Sequence, residues 1–443
     1  MKQIPKRVMI VSFDAVGAKD LEYLQTLPNF QRFFEQAALC SHVNSVCPSL
    51  TYPAHTSIVT GRMPKNHGIV NNTKIQPNRK DPDWLYHRKW IRSTTLYDEA
   101  KKKGMTTAGL LWPVAAGSRM DYYVPEIMVT RKWQNQILMN ATNGPLFYQL
   151  DLNKRFGQLR NGIAQPQLDN FIQACALDTI YKYNPQLFLL HLTDVDANRH
   201  LYGVESKEAK EALKRHDKRL GEIVRALEET GEMESTTVVL LGDHYQKDVD
   251  KVAFVNHALW KADLLTVNHA LWKAGLLTVR NGRIKSWKAY AKNCDGSCYI
   301  YLHPSVENNA EVQKRTRKVL ETLKGREDFG IERILTREEA ANMGADENCF
   351  LMLEAKEGWF FLDEWEQLTA AEKDCAHGMK GTHGYLPGEA DYQTFFAMSG
   401  CSVRAGARVE KNIALWDEGA TLAALLEIDL GKTDGSVIRE MLQ

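Results

Sequence analysis

What the chain lacks narrows its class first. No apolar run approaches the roughly 20 residues that a membrane-spanning helix needs, so no span is expected. Charge of one sign is missing too: 56 Lys and Arg stand against 55 Asp and Glu, a net charge of +1. That balance excludes a basic surface in bulk, and with it binding to nucleic-acid duplexes or membrane surfaces on charge alone. It leaves room for a local basic patch. Cysteine is sparse, 8 in 443 residues. The basic Met1–Lys6 is followed only by the short apolar run Val8–Val11, which breaks at Ser12-Phe13-Asp14 with no small-residue cleavage site. This reads as a first strand rather than a secretory signal, in a cytoplasmic protein with reduced thiols. Cys294 and Cys298 are close, but no second pair or histidine cluster completes a zinc-finger pattern. With 44% hydrophobic and 25% charged residues the composition is that of a soluble globular chain. Its length suits about two or three domains.

Strand and helix patterns alternate along the chain. Arg7–Phe13, Thr106–Trp112, Gln186–Leu192, Thr236–Leu241 and Thr394–Met398 read as short buried strands. Helical patterns fill Thr95–Lys103, Gln167–Tyr183, Ser206–Glu229 and Ala420–Leu426. The third carries Leu213, Leu220, Ile223, Val224 and Leu227 on one stripe. Such alternation predicts an α/β domain with a mostly parallel sheet between helices. The rhythm breaks from about Ala253 to Thr369. Asn281-Gly282, between Leu277–Arg280 and Arg283–Trp287, is a hairpin signal. Ala310–Leu323 is helical, and Cys349–Ala355 with Trp359–Leu362 reads as a second hairpin. The expected organisation is a core from residues 1–252 and 370–443, with 253–369 inserted as a smaller α+β cap. One internal repeat falls in that insert: Val255–Thr266 recurs as Val267–Thr278, with only Asp263 becoming Gly275. Two short copies do not make a solenoid, which leaves a local duplication, a sequence error or a lengthened cap helix.

Three strand ends deliver carboxylates: Asp14, the pair Asp194/Asp196, and Asp243. In open α/β sheets ligands bind beyond the carboxyl ends of the strands. Acidic clusters meeting there repel unless cations lie between them. Histidines accompany them: His200 four residues after Asp196, His244 next to Asp243, and His383 within Gly381-Thr382-His383-Gly384-Tyr385. Mixed Asp/His ligation suits zinc, with other divalent metals open. Two such sites would form a clamp for in-line phosphoryl transfer. Each element alone has a plainer reading. A lone Asp after a strand caps a helix or turn, and Asp-x-x-x-His is one turn of a solvated helix. Their joint occurrence at strand ends favours the metal centre. Pro53 suits the first turn of a helix running through Val59 and ended by Gly61. Thr51 then stands at the helix N-terminus. There it serves either as an N-cap or as a nucleophile where the macrodipole favours a phosphoryl anion.

Phe13-Asp14-Ala15, Pro48–His55, Thr60-Gly61, Pro64, His67–Asn72 and Trp112-Pro113 resemble the nucleotide pyrophosphatase/phosphodiesterase family, within the alkaline phosphatase superfamily. Asp196-x-x-x-His200-x-x-Gly203, Asp243-His244 and Gly381–Tyr385 follow in that family's order, and the similarity covers nearly the whole chain. The resemblance implies an alkaline-phosphatase-like core and two divalent metal ions, zinc in the family. Asp196, His200 and His383 match the ligands of one. Asp14, Asp243 and His244 match the other, which also binds the nucleophile, here Thr51. Asn72 matches a donor to a non-bridging phosphoryl oxygen. Tyr52 occupies the place of an aromatic that stacks on a nucleobase, with a second expected among Tyr122, Tyr123 and Trp133. The implied activity is a metal-dependent phosphodiesterase or nucleotide pyrophosphatase acting through a covalent phosphothreonine on a small-molecule phosphodiester or nucleotide. The same centre would serve a phosphomonoesterase, a phospholipid-headgroup diesterase or a phosphonate hydrolase, and fold analogy does not separate them. A non-catalytic binding protein is disfavoured, because every ligand position and the nucleophile are present. The chain departs from the family at Gly242-Asp243-His244-Tyr245, where Ser-Asp-His-Gly is common, and at Ala54, where asparagine is. His55, His67 and His191 read as hydrogen-bonded structural residues.

Overall fold

The computed structural model describes residues 5–262, 265–266, 286–364, 367–371 and 378–443. Its largest element is a nine-stranded sheet. Six of the strands are β1 (Arg7–Phe13), β2 (Ala38–Asn44), β3 (Thr107–Leu110), β4 (Tyr122–Val124), β5 (Leu187–Leu192) and β6 (Thr236–Leu241). Across the sheet the order is Arg408–Val409, β2, Thr394–Gly400, β6, β1, β5, β3, β4, with Ile413–Ala414 also paired to β2. Every pairing is parallel except the two made by Thr394–Gly400, which runs antiparallel between β2 and β6. The mostly parallel α/β sheet expected from the alternating pattern is therefore present.

Period-two alternation explains why both faces of the sheet are buried. Met9, Val11 and Phe13 share one core with Leu213, Leu220 and Ile223 of the Lys207–Glu229 helix and with Phe171 of the Gln167–Tyr183 helix. Val8 and Ile10 share the opposite core with Ile58 of the Thr51–Thr60 helix and Leu422 of the Leu415–Leu426 helix. Local chemistry sets the helix ends. Ser206 Oγ accepts from Ala209 N at 3.1 Å, and Asn184, at φ +44°, stops Gln167–Tyr183. The last helix begins at Leu415 rather than Ala420, because Asp417 accepts from Ala414 N at 2.8 Å and closes an earlier first turn.

A second, four-stranded antiparallel sheet runs in the order Ala289–Cys294, Ser297–Leu302, Leu351–Ala355, Ile331–Thr336. The helix Ala310–Lys324 contributes Leu320 and Leu323 to its core. The expected hairpin of Cys349–Ala355 with Trp359–Leu362 does not form. Leu351–Ala355 has both edges taken by neighbours in its own sheet, so Gly358–Phe361 pairs in parallel with Lys247–Ala253. The first repeat copy supplies the helix Val255–Lys261. The second copy and the Asn281-Gly282 hairpin lie outside the described residues. The described cysteines are free and buried, and Cys294 and Cys298 sit on either arm of a tight hairpin. No described helix is long and apolar enough to cross a membrane.

One buried acid takes part in no ion pair among the described residues. Glu418 is fully buried in the last helix, and neither carboxylate oxygen has a hydrogen-bond partner among the described residues. Burial first, then the charges of Asp417 and Asp243, push its carboxyl well above the ordinary value of 4.5. The folded chain therefore holds a proton that the unfolded chain releases. This stability is fully present below the unfolded value and is lost as pH rises toward the folded one. Glu418→Gln is expected to raise Tm at pH 8, by about 1 °C per kcal/mol gained, and to leave it unchanged near pH 4. Thermal melts across that range check it, and a lower Tm at pH 8 would refute the assignment.

Candidate active site

Parallel register brings three strand ends side by side. Phe13 is paired with Leu192, and Ser12 with Leu241. Asp14, Asp196 and Asp243 follow those ends within a few residues. Asp14, Asp243 and His244 form one group, and Asp196, His244 and His383 a second, each with ligand-capable atoms within 4.8 Å of one another. His244 belongs to both. Its Nε2 lies 3.4 Å from Asp14 Oδ1 and 3.2 Å from Asp243 Oδ2, and its ring stacks on His383 with centroids 4.0 Å apart. His200 stands at the edge, its Nε2 3.2 Å from Asp196 Oδ1 and its Nδ1 2.8 Å from Gly381 O. Asp194 is not part of the cluster: Arg215 and Arg219 pair with it at 2.7 and 2.9 Å.

Thr51 is the first residue of its helix, not the cap; Leu50 is the extended cap residue. Pro53 falls in the first turn, where a missing N–H leaves no helical bond unmade. Thr51 Oγ1 lies 3.1 Å from His244 Nε2. Tyr52 N donates to Asn72 Oδ1 at 2.9 Å. A backbone donor fixes the orientation of that amide, so Asn72 keeps Nδ2 as a donor near the helix N-terminus.

Burial, then the charge of Asp196, raises the Asp14 carboxyl above its ordinary range; burial, then Asp14, raises Asp243. Burial alone would raise Asp196 as well, but the adjacent His200 holds it below the usual range. Burial keeps His244 and His383 below the ordinary imidazole value. Both are neutral at pH 7, the form that ligates metal. Asp14 Oδ1, Asp243 Oδ2 and His244 Nδ1 are buried with no hydrogen-bond partner among the described residues. Carboxylate oxygens orphaned around a shared imidazole leave a deficit of positive charge that divalent cations would satisfy. The donor set therefore fits a bimetal centre.

Residues around the cluster support it, Gln246 and Glu126 among them without any motif. Gln246 Nε2 donates to Asp196 Oδ1 at 2.6 Å. His191, read from sequence only as a satisfied core residue, bridges Asp14 Oδ2 at 3.1 Å and Glu126 Oε2 at 3.2 Å. His55 lies 2.8 Å from Thr51 O and 2.9 Å from Ser12 Oγ, and His67 3.0 Å from Ser57 Oγ. The loop before Thr51 is tied to the loop bearing His383, since Ser49 O lies 3.2 Å from His383 Nδ1 and accepts from Gly384 N at 3.0 Å. Gly384 has φ +83°, and a Cβ there would sit 1.7 Å from Cys294 O, so only glycine permits the approach. Tyr245, where the family has glycine, turns away from the cluster. Its buried ring packs on Gly17 and lies 4.8 Å beneath the Arg199 guanidinium, which also binds Asp20 and Ala15 O.

The aromatics divide differently from the expectation. Tyr52 is fully buried, edge-on to Trp84 at 5.2 Å. Tyr122 stacks on Tyr183 at 4.0 Å, Tyr123 donates to Asn143 O at 2.8 Å, and Trp133 is exposed. Trp84, which no motif marked, lines a cavity of about 470 Å³ together with Thr73, Met128, Arg131 and Lys132. Thr73 and Trp84 face each other across a β-bridge, immediately after Asn72.

Residues 8–386 match the family described as Type I phosphodiesterase / nucleotide pyrophosphatase. Among curated relatives, the bis(5'-adenosyl)-triphosphatase ENPP4 of Pongo abelii is 25% identical over 325 residues, covering 71% of this chain and 64% of that protein. The Mus musculus counterpart is 28% identical over 252 residues, covering 54% of this chain and 46% of its own. The chain thus spans between about half and two thirds of these relatives' length. Among solved structures, an inactive form of murine ectonucleotide pyrophosphatase/phosphodiesterase 5 in complex with AMP superposes with a TM-score of 0.66. The match is at 17% identity and covers 99% of this chain and 100% of that one, a likeness of fold.

Proposed function

Because this chain belongs to the type I phosphodiesterase/nucleotide pyrophosphatase family of hydrolases, we propose that it cleaves phosphodiester or phosphoanhydride bonds in small-molecule substrates, nucleotides included, with Thr51 as nucleophile. The observation that carries the reading is Thr51 Oγ1 at 3.1 Å from His244 Nε2, the imidazole shared by both acidic groups. In this proposal Asp14, Asp243 and His244 hold one divalent ion together with Thr51, and Asp196, His200 and His383 hold the other. Zinc suits the mixed Asp/His donors. Bound there, the ions would neutralise the acidic cluster, acidify the Thr51 hydroxyl and supply hydroxide for the second step.

Thr51 Oγ gives up its proton to solvent and forms a bond to phosphorus as the bond to the leaving oxygen breaks, the departing oxygen taking a proton from water. The product of that step is a phosphothreonine ester that retains the other substituent of the diester. Water then cleaves it, releasing a monoester and regenerating the hydroxyl. Asn72 Nδ2 and the positive end of the helix dipole stabilise charge on the non-bridging oxygens. Trp84 and the cavity it lines are the proposed seat of the substrate's organic portion, with Tyr52 behind Trp84 as its support. A relative named for bis(5'-adenosyl)-triphosphate and a fold neighbour holding AMP favour the nucleotide arm. Residues 253–369 are proposed as a cap over this site. In support, Asn71 Nδ2 donates to Asn293 O at 2.9 Å, and Gly296 N to His383 O at 2.8 Å.

The test compares bis-p-nitrophenyl phosphate with p-nitrophenyl phosphate, using zinc-loaded and chelator-treated protein. The expected outcome is zinc-dependent turnover favouring the diester by about tenfold or more in kcat/KM. A preference for the monoester would make the protein a phosphatase and overturn the proposal.

A further inference from the structure

The surface of residues 131–163 differs from the rest of the molecule in two independent ways. It exposes apolar side chains in a block. Of the thirteen exposed large hydrophobic residues among those described, eight fall between Trp133 and Ile163, while the others are scattered. Trp133 is 80% exposed and Phe147 85%, and Ile137, Leu138, Leu146 and Leu150 accompany them on the helices Gln136–Thr142 and Leu146–Phe156. Ile137 and Leu150 line one small cavity between these helices, so the two apolar faces are continuous. Blocks of this kind mark interaction surfaces, whereas single exposed apolar residues do not.

The second difference is charge. Residues 131–163 hold five basic side chains and one acid, in a chain whose total is 56 against 55. Arg155 pairs with this acid, Asp151, at 2.6 Å and with Asp178 outside the segment, and Arg131 pairs with Asp83, so the excess cations among the described residues are Lys132, Lys154 and Arg160. Lys132 and Lys154 are exposed and flank Trp133 and the Leu146–Phe156 helix. A Trp/Phe/Leu face bordered by lysines matches the interfacial zone of a bilayer, where rings and aliphatic chains enter the acyl boundary and ammonium groups meet lipid phosphates. A second copy of this chain fits poorly, since a two-fold pairing would set the excess cations against their equivalents.

We propose that the helices Gln136–Thr142 and Leu146–Phe156 form a docking face for an anionic lipid surface, lying on the membrane without crossing it. The cavity beside Trp84 shares Arg131 and Lys132 with the edge of this face, so docking would hold its mouth close to the headgroups.

The test is flotation of the full chain with vesicles of phosphatidylcholine alone and of phosphatidylcholine with about 30% phosphatidylglycerol, at low salt and at about 0.5 M salt. The wild type is expected to float with the anionic vesicles and to be released by salt. Trp133→Ser with Phe147→Ser is expected to weaken binding by about tenfold or more, from the lost apolar insertion. Lys154→Glu should weaken it by about fivefold or more. Both variants keep the wild-type Tm and the wild-type rate on soluble bis-p-nitrophenyl phosphate, so loss of docking is distinguishable from loss of the catalytic site. The proposal is overturned if the wild type fails to float, or if both variants float as it does. It is also overturned if sedimentation finds a dimer on this face that Phe147→Ser disperses.

Discussion

Replacing Thr51 with alanine is expected to lower kcat/KM toward bis-p-nitrophenyl phosphate by about 10⁴-fold or more, the scale on which removal of a nucleophile acts. Thr51 Oγ1 points at His244 Nε2 from the first turn of a helix that is buried along its whole length. Alanine keeps Cβ and loses only the hydroxyl and the γ-methyl, which leaves the backbone and the acidic groups in place. The variant should bind the same quantity of metal and melt within about 2 °C of wild type, because removing two atoms from a small side chain at the first turn of the helix costs on the order of 1 kcal/mol. Loss of turnover with metal retained assigns the chemistry to the hydroxyl. A rate within tenfold of wild type would mean that water attacks directly and that Thr51 only borders the site.

A single substitution, His244→Ala, is expected to lower metal content the most, because His244 is the proposed ligand of one ion and its ring also lies within the donor group proposed for the other. Asp14→Asn removes a donor from one group only, and His200→Ala touches neither group's mutual 4.8 Å set. Elemental analysis after dialysis should therefore rank His244→Ala lowest, well below Asp14→Asn and His200→Ala. Equal losses from all three would dissolve the idea of a shared ligand. The metal also reverses the pH dependence of stability. Without it, Asp14 and Asp243 are held protonated above the ordinary carboxylate range by burial first and by neighbouring acids second. Their contribution is fully present below the unfolded value and disappears as pH rises. With metal bound the carboxylates are ionised and protons are released on binding, so affinity rises with pH. Saturating zinc should then raise Tm by about 5 °C or more at pH 8, given about 2.7 kcal/mol at a hundredfold excess over Kd, and by less at pH 5.

How far the sequence discloses this site depends on the range of the interactions involved. Each of Asp14, Asp196, Asp243 and the Thr51 helix sits just beyond a run whose own pattern makes it a strand or a helix, so each is legible locally. The Gln167–Tyr183 helix is legible to the residue for the same reason, with Asn184 as a local stop. The membership of His244 in both candidate donor groups is not legible, because sharing is a property of three strand ends meeting, not of any one. Gln246 and the His191–Glu126 pair escape as well: glutamine and a strand histidine have no spacing rule, only neighbours supplied by the fold. Gly358–Phe361 carries an ordinary strand pattern, but its partner was decided by which edges Leu351–Ala355 had already filled. The patch around Trp133 was hidden differently. A net charge summed over the chain averages away a region with five cations and one anion.

The strand Thr394–Gly400 has a bearing on how the molecule is made. It lies between β2 and β6, which end at Asn44 and Leu241, so both its partners precede it by long stretches of chain. Until it is synthesised, β2 and β6 have open edges facing one another across a gap, and open edges invite pairing with other chains. His383 arrives only shortly before it. The early helices and β1, β5 and β6 can collapse during synthesis, but the sheet closes only once residues 394–400 emerge, a step dominated by contacts of large sequence separation and therefore slow. Completion of the candidate donor set is thus coupled to the synthesis of residues 383–400. A ribosome stalled between residues 244 and 383 would present a chain that has the candidate nucleophile and every candidate ligand except His383, with two unpaired edges.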